Sequence, residues 1–268
     1  MASAGKRFIF GRRQRRLLMS IVIVLGIVVS LSPTLQYFVF SFFEYPLHYK
    51  EYKNFDIRIP GGFKVHGIDV SKWQSRVDWQ RVKAMKVDDV KFSFVFIKAT
   101  EGSWKSDTQF GANWQNAKKQ GLVRGAYHFF LPNISPKAQA LNFIRAVQLR
   151  TGDLPPVVDI EEEYGMTATQ IRKNTKIFMD ALEVHYGVKP ILYTNRDFYK
   201  LNFADEDEFK PYILWIAHYH VPELTMPDDS KWHFWQHSDQ GHVNGINEKV
   251  DFNVFNGDSV ALRRLCIP

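Results

Sequence analysis

Cysteine is almost absent from this chain of 268 residues: only Cys266 occurs, close to the C-terminus. A single thiol cannot form an intrachain disulfide, which excludes a small domain held together by a disulfide framework. Acidic residues are missing from the start of the chain, where none precedes Leu17. That segment carries six cations, which are Lys6, Arg7, Arg12, Arg13, Arg15 and Arg16. They supply most of the net charge of +7, so the residues that follow carry about +1. A nearly neutral folded part argues against electrostatic binding of nucleic acid.

Several motifs that mark cofactor or metal chemistry are also missing. The sequence contains no P-loop, no glycine-rich dinucleotide motif, no serine nucleophile elbow and no H-E-x-x-H. His218 and His220, like His233 and His237, have spacings that metal ligands can have, but His218 and His220 lie in different local contexts at a strand end. We therefore expect neither a metal nor a cofactor.

The N-terminal part is dominated by an uncharged apolar stretch. Residues 17–31 read LLMSIVIVLGIVVSL, and LQYFVFSFF at 35–43 extends the run to about 27 residues without a charge. About 20 apolar residues suffice to cross a bilayer, and the preceding cations place the N-terminus in the cytoplasm. The alternative is a cleaved signal peptide, but no small-x-small cleavage site follows the run. We expect a basic cytoplasmic N-terminus at 1–16, an uncleaved transmembrane anchor at 17–43, and a periplasmic or extracellular remainder.

Residues 44–63 contain Pro46, Pro60, Gly61 and Gly62 and are expected to form a linker. From residue 64 to 268, short apolar runs typical of strands alternate first with helical periodicity and then mostly with loops. The predicted strands are 64–71, 92–100, 122–130, 155–161, 189–195, 212–219, 231–237 and one that includes 249–252. This pattern predicts an α/β fold, an irregular TIM-like β/α barrel of eight strands with fewer helices in its second half.

Acidic residues occur where predicted strands end, which is where β/α barrels carry their chemistry. Asp69 ends the first strand, Glu101 follows the second, Asp159 and Glu161 end the fourth, and Asp251 lies on the eighth. Asp159 and Glu161 are two residues apart, so their side chains point to the same side of the strand. Burial and mutual repulsion would raise the pKa of one member and give a neutral acid able to protonate a leaving group. Spacing alone equally allows an acidic loop start in which Glu161, Glu162 and Glu163 face solvent.

A series of motifs in a fixed order then resembles a known family. The motifs are HGIDVSKWQ (66–74), VDW (77–79), FVFIKATEG (94–102), GLVRGAYHFF (121–130), VVDIE (157–161), LYTN (192–195), LWIAHY (214–219), WQHS (235–238) and VNGINEKVDFNVFNG (243–257). Over residues 64–257 they resemble glycoside hydrolase family 25, the Chalaropsis-type lysozymes. The resemblance implies hydrolysis of the β-1,4 bond between N-acetylmuramic acid and N-acetylglucosamine. It places the catalytic carboxylates at Asp159 and Glu161, supporting acids at Asp69 and Asp251, and a further acid at Glu101.

The expected mechanism gives Glu161 the role of general acid and then base. Asp159 would stabilise the 2-acetamido group of the substrate as its carbonyl attacks the anomeric carbon. An inverting scheme with Asp69 or Asp251 as base is the alternative. Substrate contacts are expected from Glu101 and from the strand-end aromatics Tyr127, Tyr193, Trp215 and Trp235. We expect a monomeric enzyme acting on peptidoglycan strands. A non-catalytic glycan-binding protein on the same barrel and a metal-dependent deacetylase are the competing hypotheses.

Overall fold

A computed structural model describes residues 49–268 of the chain. The predicted basic N-terminus (1–16), the predicted anchor (17–43) and the first residues of the predicted linker lie outside this range. Among the described residues, no helix combines the length and apolarity that crossing a membrane requires. Residues from Tyr49 to Pro268 belong to one compact unit.

Twelve strands occur in residues 49–268. In chain order they are β1 (Tyr49–Tyr52), β2 (Ile57–Pro60), β3 (Val65–Val70), β4 (Lys86–Val87), β5 (Val90–Glu101), β6 (Lys105–Ser106), β7 (Val123–Phe129), β8 (Val157–Asp159), β9 (Ile191–Asn195), β10 (Ile213–Ala217), β11 (Trp232–Gly241) and β12 (Val250–Phe255). The helices are a short 3-10 turn (Lys72–Gln74), α1 (Trp79–Ala84), α2 (Phe110–Lys119), α3 (Pro136–Ala146), α4 (Ala168–Tyr186), α5 (Arg196–Asn202) and α6 (Ser259–Arg264).

Eight of these strands close into a barrel, which confirms the predicted number. The order around the barrel is β3, β5, β7, β8, β9, β10, β11 and β12, and β12 pairs back onto β3. Neighbours from β3 to β11 are parallel, whereas β12 is antiparallel to both β11 and β3. The barrel is therefore mixed, unlike the all-parallel TIM arrangement. Only a short loop joins β11 to β12, and parallel neighbours need a longer crossover connection.

Two apolar cores lie on the two sides of the barrel wall. The interior core contains Val65, Phe94, Phe96, Val157, Ile191, Tyr193, Trp215, Phe234 and Phe255. Two glycines make room for its aromatic rings. A Cβ on Gly67 would lie 2.5 Å from the ring of Phe94, and one on Gly125 would lie 2.5 Å from the ring of Phe96. The outer core, between strands and helices, takes the alternate residues of the same strands.

Residues 49–60 correct the predicted linker boundary, because they form a hairpin that belongs to the folded unit. Phe55, in the turn, is fully buried and packs edge-on against Phe92 and Phe252. Ile57 and Ile59 are buried beside it. The hairpin thus covers part of the barrel wall with apolar side chains, which a solvated linker would expose.

The two longest helices begin at residues whose side chains cap them. Ser135 caps α3 with Pro136 in its first turn, and Thr167 forms a capping box with Gln170 at the start of α4. Gly187 ends α4 in the left-handed conformation at φ 72°. Between β10 and β12 the described chain has no helix, as expected for the second half.

Candidate active site

Four carboxylates meet at one end of the barrel. Asp69 lies near the end of β3, Asp159 ends β8, and Glu161 follows two residues later. Asp251 comes from the beginning of β12, which runs in the opposite direction and so starts at this same end. It stands directly opposite Asp69 in the strand register. The structure therefore brings together the four acids that the sequence singled out as catalytic.

The acids line a cavity of about 240 Å³. Its other walls come from the ends of neighbouring strands and from the 3-10 turn, and include Trp73, Gln74, Lys98, Tyr127, Phe129, Tyr193, Trp215, Tyr219 and Gln236. Of the predicted substrate-binding aromatics, Tyr127, Tyr193 and Trp215 thus lie at the cavity. Aromatic rings beside carboxylates suit a sugar, because a ring packs on the apolar face of a pyranose while polar groups bind its hydroxyls.

Asp159 and Glu161 form a coupled acid pair. Asp159 is 5% exposed, and Glu161 is partly buried beside it. Burial and then the neighbouring Glu161 charge raise the pKa of Asp159 well above its usual value. Burial also raises the pKa of Glu161, although its hydrogen bond with Asp159 partly offsets this. The pair therefore holds a proton at a pH where two ordinary carboxyls are both ionised. Oδ1 of Asp159 is buried and has no hydrogen-bond partner within residues 49–268.

Asp69 and Asp251 form a second pair across the β3–β12 ladder. Burial raises the pKa of Asp69 to about 6, opposed by hydrogen bonds from Asn253, Gln236 and Asp251. Nδ2 of Asn253 donates to Oδ2 of Asp69 at 2.7 Å, and Nε2 of Gln236 donates to the same oxygen at 2.8 Å. Burial and the Asp69 charge raise the pKa of Asp251 well above its ordinary value.

Gln236 connects the two acid pairs. Its Oε1 accepts hydrogen bonds from the hydroxyls of Tyr193 and Tyr219, each at 2.7 Å, while its amide donates to Asp69. Tyr193 also lies beside Glu161 and partly offsets the rise in the pKa of that carboxyl. Gln236 and Asn253 are not among the residues predicted from the sequence, although the sequence contains a signal for both. Each lies two residues from an inward-facing residue, Phe234 and Asp251 respectively, and strand alternation turns it toward the same interior.

Trp235 corrects a prediction, because it does not reach the cavity. Phe234 and Gln236 point into the barrel, so Trp235 between them points outward and is fully buried in the outer core. Its Nε1 donates to the carbonyl of His218 at 2.8 Å. Trp215 has the opposite orientation: it stacks on Phe96 with ring centroids 4.0 Å apart, and its Nε1 donates to Oδ1 of Asn253.

Glu101 is not among the residues that line the cavity, and its substrate-binding role stays a prediction. Its carboxylate forms ion pairs with Lys98 at 2.9 Å and Lys105 at 2.7 Å. Burial opposes ionisation, but the hydrogen bonds from Lys105 and Lys98 prevail and lower the pKa of Glu101 to about 2. Glu101 thereby orients Lys98, whose side chain does line the cavity.

Histidine, cysteine and acidic side chains of residues 49–268 form no group of three or more arranged to hold a metal ion. His218 and His220 accordingly do not converge with His233 and His237 on one ligand set.

Comparisons with known proteins agree with this geometry. The family model for glycosyl hydrolases family 25 matches residues 68–246. The chain is 46% identical over 211 residues to the uncharacterized protein YegX of Escherichia coli K12, covering 78% of this chain and 76% of YegX. It is 36% identical over 218 residues to lysozyme M1 of Streptomyces globisporus, covering 75% and 71% of the two chains. The solved family 25 glycosyl hydrolase from Bacillus anthracis superposes with a TM-score of 0.71 at 30% identity, covering 82% of this chain and 98% of that one.

Proposed function

The chain belongs to glycosyl hydrolase family 25 and is a glycoside hydrolase, and from this premise we propose that it is a membrane-anchored muramidase. Its substrate is peptidoglycan, in which it hydrolyses the β-1,4 bond between N-acetylmuramic acid and N-acetylglucosamine. The observation that carries the proposal is the buried acid pair of Asp159 and Glu161 in an aromatic-lined cavity at the strand ends. A protein that only binds glycans does not require a pair of acids with raised pKa values.

Glu161 acts as general acid on the glycosidic oxygen and then as the base that activates water. It is the more accessible member of the pair, and burial raises its pKa, which favours the protonated form that a general acid needs. Before substrate enters, the hydrogen bond within the pair raises the pKa of Asp159 and lowers that of Glu161, which favours the proton on Asp159. When the substrate N–H binds Asp159 as a carboxylate, the proton moves to Glu161, where it is needed.

Asp159 orients the 2-acetamido group. It lines the cavity beside Glu161, where its carboxylate can accept a hydrogen bond from the substrate N–H. The acetamido carbonyl then attacks the anomeric carbon, and no protein nucleophile is needed. Two carboxyls that hydrogen-bond to each other are poorly placed for the usual retaining scheme, which needs them about 5–5.5 Å apart across the scissile bond.

Asp69 and Asp251 support this chemistry through Gln236. The side-chain nitrogen of Gln236 donates to Asp69, and this hydrogen bond fixes the Gln236 oxygen that accepts from the Tyr193 hydroxyl. Tyr193 in turn contacts Glu161. These hydrogen bonds hold Tyr193 against Glu161, which restricts the orientation of Glu161. The alternative assigns Asp69 or Asp251 as the base of an inverting reaction. NMR of the first anomer formed separates the schemes, because net inversion contradicts the acetamido route.

The test of activity uses the full chain purified in detergent and intact peptidoglycan. Mass spectrometry of the products should show new reducing ends at N-acetylmuramic acid. Glu161→Gln should lower the rate by about 10²–10⁴-fold, as expected when a general acid is lost. Glu162→Gln is the matched control, because Glu162 is exposed and adjacent in sequence. Retention of full activity by Glu161→Gln would contradict its assigned role, and binding without cleavage by the unaltered chain would identify a glycan-binding protein.

The anchor and location are further parts of the proposal and depend on the apolar run at 17–43 and the cations before it. The full chain should fractionate with membranes as an uncleaved monomer, and a protease added to the outer side should digest residues 49–268. Recovery of a shorter, soluble chain would indicate a cleaved signal peptide instead.

A further inference from the structure

A second cavity lies at the end of the barrel opposite the acids. It has a volume of about 650 Å³ and is lined by one face of α2 along its length, the start of β7, the end of α3 and the segment that follows α3. Most of its cations lie toward the ends of α2 and α3. Five cations contribute to its walls, and the described residues that line it include no carboxylate. They are Lys118, Lys119, Arg124, Arg145 and Arg150. We call this cavity the basic groove.

One of the five cations is structural and four are available to a ligand. Arg124 is 5% exposed, donates to both carboxylate oxygens of Asp153 at 2.8 and 3.1 Å, and packs over the ring of Trp114. It forms a rigid, neutralised wall. The remaining four, Lys118, Lys119, Arg145 and Arg150, are exposed and form no ion pair within residues 49–268. Like charges gathered without counter-charges cost free energy unless an anion binds them.

The described chain begins at this same end of the barrel. Nζ of Lys50 donates to Asp88 at 2.5 Å, and the hydroxyl of Tyr52 donates to Asp89 at 3.1 Å. Asp88 and Asp89 directly precede β5, and Lys119 and Arg150 precede β7 and β8. Because these strands are parallel, their starts share one end of the barrel.

The sequence limits how far that end can lie from a membrane. Only residues 44–48 separate the apolar run from Tyr49, and a fully extended chain of this length spans at most about 20 Å. We propose that the basic groove binds the headgroups of anionic phospholipids at the membrane surface and so directs the acid-lined cavity away from the bilayer, toward the wall. This inference rests on the membrane anchor proposed above, and it adds a binding site and its ligand class.

The magnitude follows from the four free cations. Each Lys or Arg near an anionic bilayer strengthens binding about fivefold, so losing all four should weaken it by at least a hundredfold. The effect should fade at high ionic strength, because salt screens exposed charges.

The test places the full chain in nanodiscs of phosphatidylcholine alone or with about 30% phosphatidylglycerol and measures amide hydrogen exchange. We expect slower exchange over residues 114–120 and 145–150 only in the anionic discs. The variant K118Q/K119Q/R145Q/R150Q should lose this protection. The matched control K53Q/K137Q/K173Q/K200Q removes four exposed lysines elsewhere and should retain it. Both variants should digest a soluble peptidoglycan fragment at the unaltered rate, because all eight positions lie outside the acid-lined cavity.

Equal exchange in the two kinds of disc overturns the proposal, and so does protection by soluble polyphosphate but not by anionic discs. If the full chain does not enter the discs at all, the anchor is wrong. In that case, co-sedimentation of the chain with phosphatidylglycerol vesicles tests the groove alone. Binding that the K118Q/K119Q/R145Q/R150Q variant loses supports the groove as the site, and no binding by the unaltered chain refutes it. Lytic activity is measured separately, so its loss would leave this result unaffected.

Discussion

Asp69→Asn should stabilise the folded unit at neutral pH and leave its stability almost unchanged at pH 4. Asp69 is 5% exposed, and burial raises the pKa of its carboxyl from 3.8 to about 6. An asparagine has the same shape. Its carbonyl can still accept from Gln236 and Asn253, while its amide can donate to Asp251. The substitution therefore removes a buried charge and keeps the hydrogen bonds.

The sign and size follow from proton linkage. Between about pH 4 and pH 6 the folded state holds the Asp69 proton while the unfolded state releases it. The free energy of unfolding consequently falls as the pH rises through this range. The stability that this group contributes is complete below 3.8 and lost above about 6, which at about 1.4 kcal/mol per pKa unit amounts to about 3 kcal/mol. Asp69→Asn avoids that loss.

Guanidinium unfolding of the full chain in detergent, followed by tryptophan fluorescence at pH 4 and pH 7.5, measures the difference. At pH 7.5 the variant should gain up to about 3 kcal/mol, or about 6–12 °C in Tm. Glu208→Gln, at an exposed acid, should change little at either pH. An equal gain from Asp69→Asn at both pH values would refute the reasoning, because the gain would then not arise from ionisation.

Three other predictions concern the barrel interior and the cavity. Gly125→Ala would place a methyl 2.5 Å from the Phe96 ring and should lower the free energy of unfolding by about 1–3 kcal/mol. Gly111→Ala, in open space within α2, should raise it by about 0.5–1 kcal/mol. The opposite order of the two variants in thermal unfolding would contradict the packing argument. Asp159→Asn should lower kcat by about 10²–10³-fold in peptidoglycan digestion and change KM little, and a pure KM effect would argue against transition-state stabilisation. Trp73→Ala should raise KM about three- to tenfold without changing kcat, because Trp73 is 72% exposed where it lines the cavity, and an unchanged KM would exclude sugar stacking there.

Much of the fold follows from local sequence patterns. Strand-length apolar runs predict all eight barrel strands, and helix caps at Ser135 and Thr167 mark two helix starts. The hairpin at 49–60 and the direction of β12 could not be predicted in this way. Polar and apolar residues alternate in the hairpin as they do in many exposed loops. Phe55 is buried because the hairpin packs on a part of the barrel wall that no helix covers, and this is visible only in the tertiary structure.

The sequence by itself determined that Asp69, Asp159 and Glu161 would meet, because the ends of parallel strands converge at one end of a barrel. Asp251 joins them only because β12 runs antiparallel to β3, which the tertiary structure decided. Only the tertiary structure decided which neighbouring side chains join them. Barrel strands are buried on both faces, so alternation assigns residues to two sides without telling which side is the interior. Trp215 faces inward and Trp235 outward for that reason. The ionisation and orientation of the Glu101 carboxylate likewise depend on where Lys98 and Lys105 lie in space, which the position of Glu101 on its strand does not determine.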